Sequence, residues 1–144
     1  MKVASILKVK GTTVETTPPR TSIATSARLL RDKHIGALVV SEDGTGVLGI
    51  ITERDIVHGL ADRGPSLLDL PVSLVMTRAP VTCTPDDDIQ TVMSQMTRRR
   101  LRHLPVVVGG RLQGIVSIGD VVKHRLDELE TEANVLRDAF LARQ

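Results

Sequence analysis

Gly49-Ile50-Ile51-Thr52-Glu53-Arg54-Asp55-Ile56-Val57 returns, in outline, as Gly114-Ile115-Val116-Ser117-Ile118-Gly119-Asp120-Val121-Val122. Both stretches read glycine, two β-branched residues, a hydroxyl, two free positions, aspartate and two more β-branched residues. The two aspartates lie 65 residues apart in a chain of 144. A period close to half the chain marks tandem structural units. A unit that carries the same hydroxyl and carboxylate each time suggests two equivalent sites on a symmetric scaffold.

The same order of elements precedes each copy. In the first half, Val14 to Thr17 reads as a short strand closed by Pro18 and Pro19. Ser22 to His34 is amphipathic, with Ile23, Ala27 and Leu30 on one stripe. Ala37 to Val40 is an apolar run bounded by Gly36 and by Ser41-Glu42-Asp43-Gly44, the mark of a buried strand. Val47 to Ile51 pairs with it as a hairpin, and Thr52 opens a helix to about Asp62. In the second half the same places fall to Val81–Thr84, to the stripe Ile89, Val92, Met93 and Met96, to Pro105–Val108 and Leu112–Val116 around Gly109-Gly110, and to a helix opened by Ser117.

The fold class is therefore α+β, with tandem β-α-β-β-α units, pseudo-two-fold symmetry and a C-terminal helix. Residues 1–64 hold the first unit and an N-terminal helix over Lys2–Lys8 that Gly11 ends. Residues 65–124 hold the second unit and its linker, and residues 125–144 the C-terminal helix. The linker is Gly64 to Pro71, followed by a short helix over Ser73–Met76. One unit cannot cover both faces of its own three-stranded sheet, so the two are expected to pair.

Composition removes several functions. A chain of this length can bury roughly 68–70% of its unfolded surface, so its core needs no staple. The single Cys83 forbids an intrachain disulfide and fits a reducing cytoplasm. Met1 to Lys10 has no leader-like apolar run and no stretch approaches a membrane span, so a cytoplasmic protein is expected. There are 19 basic and 17 acidic residues, and the pI near 9.0 comes from that small excess. It is no argument for nucleic acid. There is no Trp, no Tyr and one Phe, Phe140. A flat ligand must rest on aliphatic side chains, which argues against the stacking platforms of single-stranded nucleic-acid proteins.

The last segment leaves the repeat. Val122, Leu126, Leu129, Ala133, Leu136 and Phe140 follow heptad spacing, with charged residues elsewhere. The stripe covers about two and a half heptads, fewer than a coiled coil usually shows. It admits two readings: a helix folded back on the body, or a helix that pairs with its copy in a dimer.

The repeated Gly-h-h-[Ser/Thr]-x-x-Asp-h-h element resembles the closing motif of CBS domains, named after cystathionine β-synthase. Val75-Met76-Thr77 before Pro80-Val81-Thr82 resembles the usual opening of such a domain. His103-Leu104-Pro105-Val106-Val107 resembles its middle strand, with Gly36–Val40 as the counterpart. The resemblance covers nearly the whole chain. It implies a CBS pair, with clefts between the units that bind an adenosine nucleotide such as AMP, ATP or NAD(H), and a homodimer.

Thr52 and Asp55 stand three apart at a helix start, as do Ser117 and Asp120. One reading is a capping box, in which hydroxyl and carboxylate satisfy backbone N–H groups. The other is ribose binding, since an ionised carboxylate offers two acceptor oxygens to a vicinal diol. The hydroxyl and the free N–H groups of the helix start suit a phosphate. By the resemblance, Thr16 and Thr17, Ile35, Gly36 and Ala37, Thr82 and Cys83, and His103, Leu104 and Pro105 line the clefts and hold the base. The first unit has Leu38 where the second has Pro105, and its hairpin turn is longer, so the clefts need not be equal.

Arg98-Arg99-Arg100 with Arg102 is the densest charge in the chain. It reads as a solvated helix end that complements the dipole, as a phosphate-neutralising group led by Arg102, or as a duplex contact. Phosphate contacts alone would bind a duplex weakly, with strong salt dependence, and no recognition motif accompanies them. The four histidines lack metal-ligand spacing, so no metal is expected. Cys83 reads as a small buried hydrophobe. No catalytic constellation is found. The expected function is a regulatory nucleotide-binding module, not an enzyme, acting on some regulated protein partner. The alternative is a structural homodimerisation module with vestigial clefts.

Overall fold

The computed structural model describes residues 1–144. Helix α1 (Val3–Lys10) precedes strand β1 (Thr16–Thr17), helix α2 (Ile23–Lys33), strands β2 (Ala37–Val40) and β3 (Gly49–Thr52), and helix α3 (Glu53–Arg63). Two 3₁₀ turns, Gly64–Asp69 and Val72–Leu74, lead to strand β4 (Thr77–Arg78). Helix α4 (Ile89–Arg99), strands β5 (His103–Val108) and β6 (Arg111–Ser117) and helix α5 (Ile118–Ala142) complete the chain.

The repeat is visible in how the elements start and stop. Both α2 and α4 run for 11 residues. Ser22 caps the first by accepting the Thr25 N–H at 3.1 Å, and Asp88 caps the second by accepting the Gln90 N–H at 3.0 Å. Both end on a residue in the left-handed region, His34 at φ 54° and Arg100 at φ 55°. Glycine is the usual choice there.

Each unit has its own core. Ile23, Leu30, Leu38, Val40, Ile51, Ile56, Leu67 and Val72 form one, while Val3, Ile6, Leu7, Cys83, Ile89, Val92, Met96, Leu104, Val106, Val116 and Val121 form the other. Two features cross between them. Helix α1, grouped by sequence with the first unit, packs into the core of the second. Strand β4, which follows the linker, adds to the first unit's sheet in the order β1-β2-β3-β4. The linker is not a loose tether, because its Leu67 and the Val72 that directly follows it are fully buried in the first core.

The sheets are thus not both three-stranded. The second has β5 and β6 alone, with Cys83 joined to Val106 by a single parallel bridge. Register supplies the reason. Ala37 faces Thr52 and His103 faces Ser117, so Val39 corresponds to Pro105, and Leu38 to Leu104. The expected match of Leu38 to Pro105 is one residue off. The Val39 N–H donates to the Glu15 carbonyl at 3.2 Å. Pro105 has no N–H to offer Val81 in the same place. The surviving bonds are Cys83 N–H to the Pro105 carbonyl at 3.0 Å and Val107 N–H to the Cys83 carbonyl at 2.9 Å.

The glycine that opens each motif is needed for close approach. A Cβ on Gly49 would lie 2.6 Å from Met76 Sδ and 2.7 Å from the Thr77 carbonyl oxygen. On Gly114 it would lie 2.7 Å from Leu7 Cδ2. In both copies the chain leading into the other half lies across the motif strand.

Helix α5 is one unbroken element of 25 residues, about 37 Å long. No boundary interrupts it at residue 125. From Leu129 to Gln144 every residue is exposed, so the helix does not fold back on the body. No helix is long and apolar enough to cross a membrane.

Candidate functional site

Both repeated motifs sit at a strand-to-helix junction, and both form the reciprocal capping box. Thr52 Oγ1 accepts the Asp55 N–H at 3.2 Å, and Asp55 Oδ2 accepts the Thr52 N–H at 3.0 Å. Ser117 Oγ accepts the Asp120 N–H at 3.1 Å, and Asp120 Oδ2 accepts the Ser117 N–H at 2.9 Å. Each box engages only Oδ2. The second carboxylate oxygen, Oδ1, has no protein partner in either copy. Capping therefore fixes each carboxylate in place and leaves it an acceptor to spare.

Two clefts lie between the units. The first, of about 270 Å³, is walled by Thr52, Glu53, Arg54 and Asp55 of the first motif. Opposite them stand Ala79, Pro80 and Val81 and then Arg100, Leu101, Arg102 and His103. The second, of about 310 Å³, is walled by Ile115 and Ser117, by Lys10, Thr13, Val14 and Glu15, and by His34, Ile35, Gly36 and Ala37. Residues 100–103 in one cleft and 34–37 in the other are repeat-equivalent. Each set follows directly from a left-handed helix cap that turns the chain toward the cleft. His103 and Gly36 border both clefts, and a Cβ on Gly36 would lie 3.0 Å from His103 Cε1. The imidazole is thus the partition between them. A broader groove along α2 and α3, lined in part by Ala27, Leu30, Ile56 and Val57, contains neither hydroxyl–carboxylate pair.

Electrostatics separate the clefts further. Lys10 Nζ donates to Asp120 Oδ2 at 2.6 Å and to the Ile115 carbonyl at 3.0 Å. Asp120 is absent from the cleft wall, and Lys10 stands there instead. Burial pushes the Asp120 carboxyl up, but the Lys10 ammonium and the Ser117 N–H outweigh it and hold it below the ordinary carboxylate value. Burial, reinforced by the Lys10 charge, lowers the His103 imidazole below its usual value, so it is neutral at pH 7. Across the Asp55 cleft, Arg54 Nη1 donates to the Arg100 carbonyl at 2.9 Å and ties the two units together.

Of the residues singled out in the sequence, the structure gathers Thr52, Asp55, Arg102 and His103 around one cleft, and Ile35, Gly36, Ala37, His103 and Ser117 around the other. Thr16, Thr17, Thr82, Cys83, Leu104 and Pro105 lie on neither wall. Thr17 is buried and its hydroxyl donates to Thr21 Oγ1 at 2.8 Å, while Leu104 is core. Burial, and then the Asp87 charge, pushes the Cys83 thiol up to about 12, so it is no nucleophile. The walls come from the residues just before these, 13–15 and 79–81, because Thr17 and Cys83 are already paired into their sheets. Arg100 belongs to the arginine cluster singled out in the sequence, and Arg54 could have been found from its place between Thr52 and Asp55. Lys10 could not, since only tertiary packing brings α1 to the second motif.

The comparisons agree with this fold. A CBS-domain-containing protein from Agrobacterium tumefaciens has the same fold at TM-score 0.83 and 44% identity, over 87% of this chain and 99% of that one. A CBS domain protein from Pyrobaculum aerophilum, complexed with AMP, matches at TM-score 0.74 and 25% identity over 83% and 89% of the two chains. A CBS domain pair in complex with 5′-methylthioadenosine and S-adenosyl-L-methionine matches at TM-score 0.77 and 26% identity, over 89% and 98%. The family model for the CBS domain matches twice, over residues 9–62 and 72–127. With its two motifs facing two clefts across a pseudo-two-fold axis, the chain belongs to the CBS-domain family, as a tandem pair.

Proposed function

We propose that this protein is a regulatory, non-catalytic module that binds an adenosine nucleotide in the clefts between its CBS units. The observation that carries the reading is Asp55. Its carboxylate is fixed by the capping box, keeps one free acceptor oxygen, and faces a cleft bordered by three arginines. The ribose diol donates to that carboxylate, and phosphates meet the guanidinium groups and the helix start. The base lies between aliphatic residues such as Ile50 and Val81, and backbone groups read its edge. Two of the structural neighbours support the ligand class, because AMP, 5′-methylthioadenosine and S-adenosyl-L-methionine share adenine and ribose. The clefts stand at the lower edge of the ordinary range for small-molecule sites, ~300 Å³, which suits a nucleoside with its phosphates at the mouth.

Sensing requires that the nucleotide bind two arrangements of the protein unequally. Isothermal titration with AMP, ATP and NADH tests the binding step, and saturable heat from at least one of them is expected. No heat at millimolar ligand would leave the alternative, a structural module whose carboxylates serve only as caps.

The module is a homodimer in this reading, joined through α5. Leu126, Leu129, Leu136 and Phe140 of its stripe are exposed. With Leu126 and Ala133 at position a and Leu129 and Leu136 at d, the flanking charges choose an orientation. In a parallel pair Glu132 meets the second copy's Arg137, while Arg125 stays on Glu128 of its own helix. An antiparallel pair in the same register sets Glu130 against Glu130 and Lys123 against Arg137.

A further inference from the structure

We propose that the two clefts are inequivalent: the Asp55 cleft takes an adenosine polyphosphate, and the Asp120 cleft is closed to ribose by Lys10, so that each chain binds one nucleotide. This rests on the reading of the chain as an adenosine-nucleotide module, and adds to it which cleft is used and by what class of nucleotide.

The first argument is occupancy. A ribose diol needs the Asp120 carboxylate, and Lys10 Nζ already lies on it at 2.6 Å. The ammonium is further anchored by the Ile115 carbonyl at 3.0 Å. The pair is only partly exposed, with side-chain exposures of 35% and 25%. The ammonium shares Oδ2 with the cap, and a ribose could reach the remaining Oδ1 only past Lys10, which stands on the cleft wall where Asp120 does not. In the other cleft the segment that crosses the motif strand brings Met76 against Gly49, as Leu7 lies against Gly114, and no lysine to the aspartate. A thioether carries no charge. Asp55 has no cationic partner among the protein's ion pairs and keeps only its capping bonds.

The second argument is charge. Arg54, Arg100 and Arg102 border the Asp55 cleft against the carboxylates of Glu53 and Asp55. In the Asp120 cleft the equivalents of Arg100 and Arg102 are His34 and Gly36, Glu15 adds a negative charge, and the one ammonium is already paired. Only the Asp55 cleft has uncommitted cations to meet a chain of phosphates. Arg54, bonded to the Arg100 carbonyl, is held at its edge.

Isothermal titration of the full-length protein decides the matter, with ATP and AMP as probes. The expected result is one ATP per chain, bound more tightly than AMP, with the difference abolished in R102A. D55N, which keeps a capping oxygen but loses the charge, weakens ATP by about tenfold or more. K10M removes the ammonium and raises the stoichiometry to two, and the double variant K10M/D55N returns it to one. Two equal ATP sites in the wild type, or a folded K10M that still binds one, overturns the proposal while the nucleotide reading stands. Should K10M lose its circular dichroism signal, K10Q gives the same readout. Failure of the wild type to bind either probe sinks the nucleotide reading itself, and this inference with it.

Discussion

His103 is the single side chain that touches both clefts, and its protonation is tied to folding. Burial first, and then the Lys10 charge, disfavour its imidazolium in the folded state. Glu53 and Asp120 pull the other way and Arg102 adds to the lowering. The unfolded chain therefore binds this proton more readily than the folded one. The stabilising contribution is complete above the ordinary value of 6.5 and is lost as pH falls through the lower folded value. Denaturation midpoints measured from about pH 7 down to about pH 5 should fall, and in H103Q the fall should be smaller, since the carboxylates titrate lower still. An equal decline in both proteins would show that the imidazole does not contribute. The motif aspartates, in contrast, were legible as capping or ribose residues from their spacing. The capping boxes formed in both copies, and the free Oδ1 of Asp55 leaves the second role open to it.

At the scale of elements, helix ends shape the cleft walls. His34 and Arg100 hold left-handed conformations that cost a non-glycine residue about 1–2 kcal/mol. Such strain persists where surrounding structure needs it, and here each cap delivers the next three residues to a cleft wall. R100G should raise the unfolding free energy by about 1 kcal/mol while weakening nucleotide binding through the lost guanidinium. Chemical denaturation beside titration checks both signs, and a destabilised R100G would refute the strain argument. The motif glycines give an ordered pair. G49A drives a Cβ against the Thr77 backbone and should cost about 1–3 kcal/mol. G114A meets only the flexible end of Leu7 and should cost less. The reverse order in thermal melts would contradict the packing described. The helices, the hairpins and their caps were readable from periodicity and turn residues. The weak lead-in strand of the second unit was not, because the missing N–H of Pro105 acts on a neighbour some twenty residues away.

For the whole molecule, the question is how α5 is covered. A parallel pair places Leu136 opposite its own counterpart, so L136C should form an intermolecular disulfide under mild oxidation. The antiparallel arrangement would instead link L126C to L136C in a mixture of the two variants. Cys83 stays silent in either assay, being buried with its thiol pushed up to about 12. A sedimentation profile of monomer at all concentrations would remove the dimer.

The sequence by itself determined the tandem CBS units, their element order, the capped hydroxyl–carboxylate pairs and the amphipathic last helix, because each is written in residues a few positions apart. It could not determine that α1 would join the second core, that β4 would complete the first sheet, or that Lys10 would come to rest on Asp120. Those placements link residues far apart in the chain, such as Lys10 and Asp120 or Leu7 and Gly114, and follow from which face each core must still cover once its own elements are spent. The repeat makes the two clefts alike in backbone. Their charge differs partly through Arg100 and Arg102 against His34 and Gly36, which the repeat shows, and partly through Lys10, whose place only tertiary packing fixes.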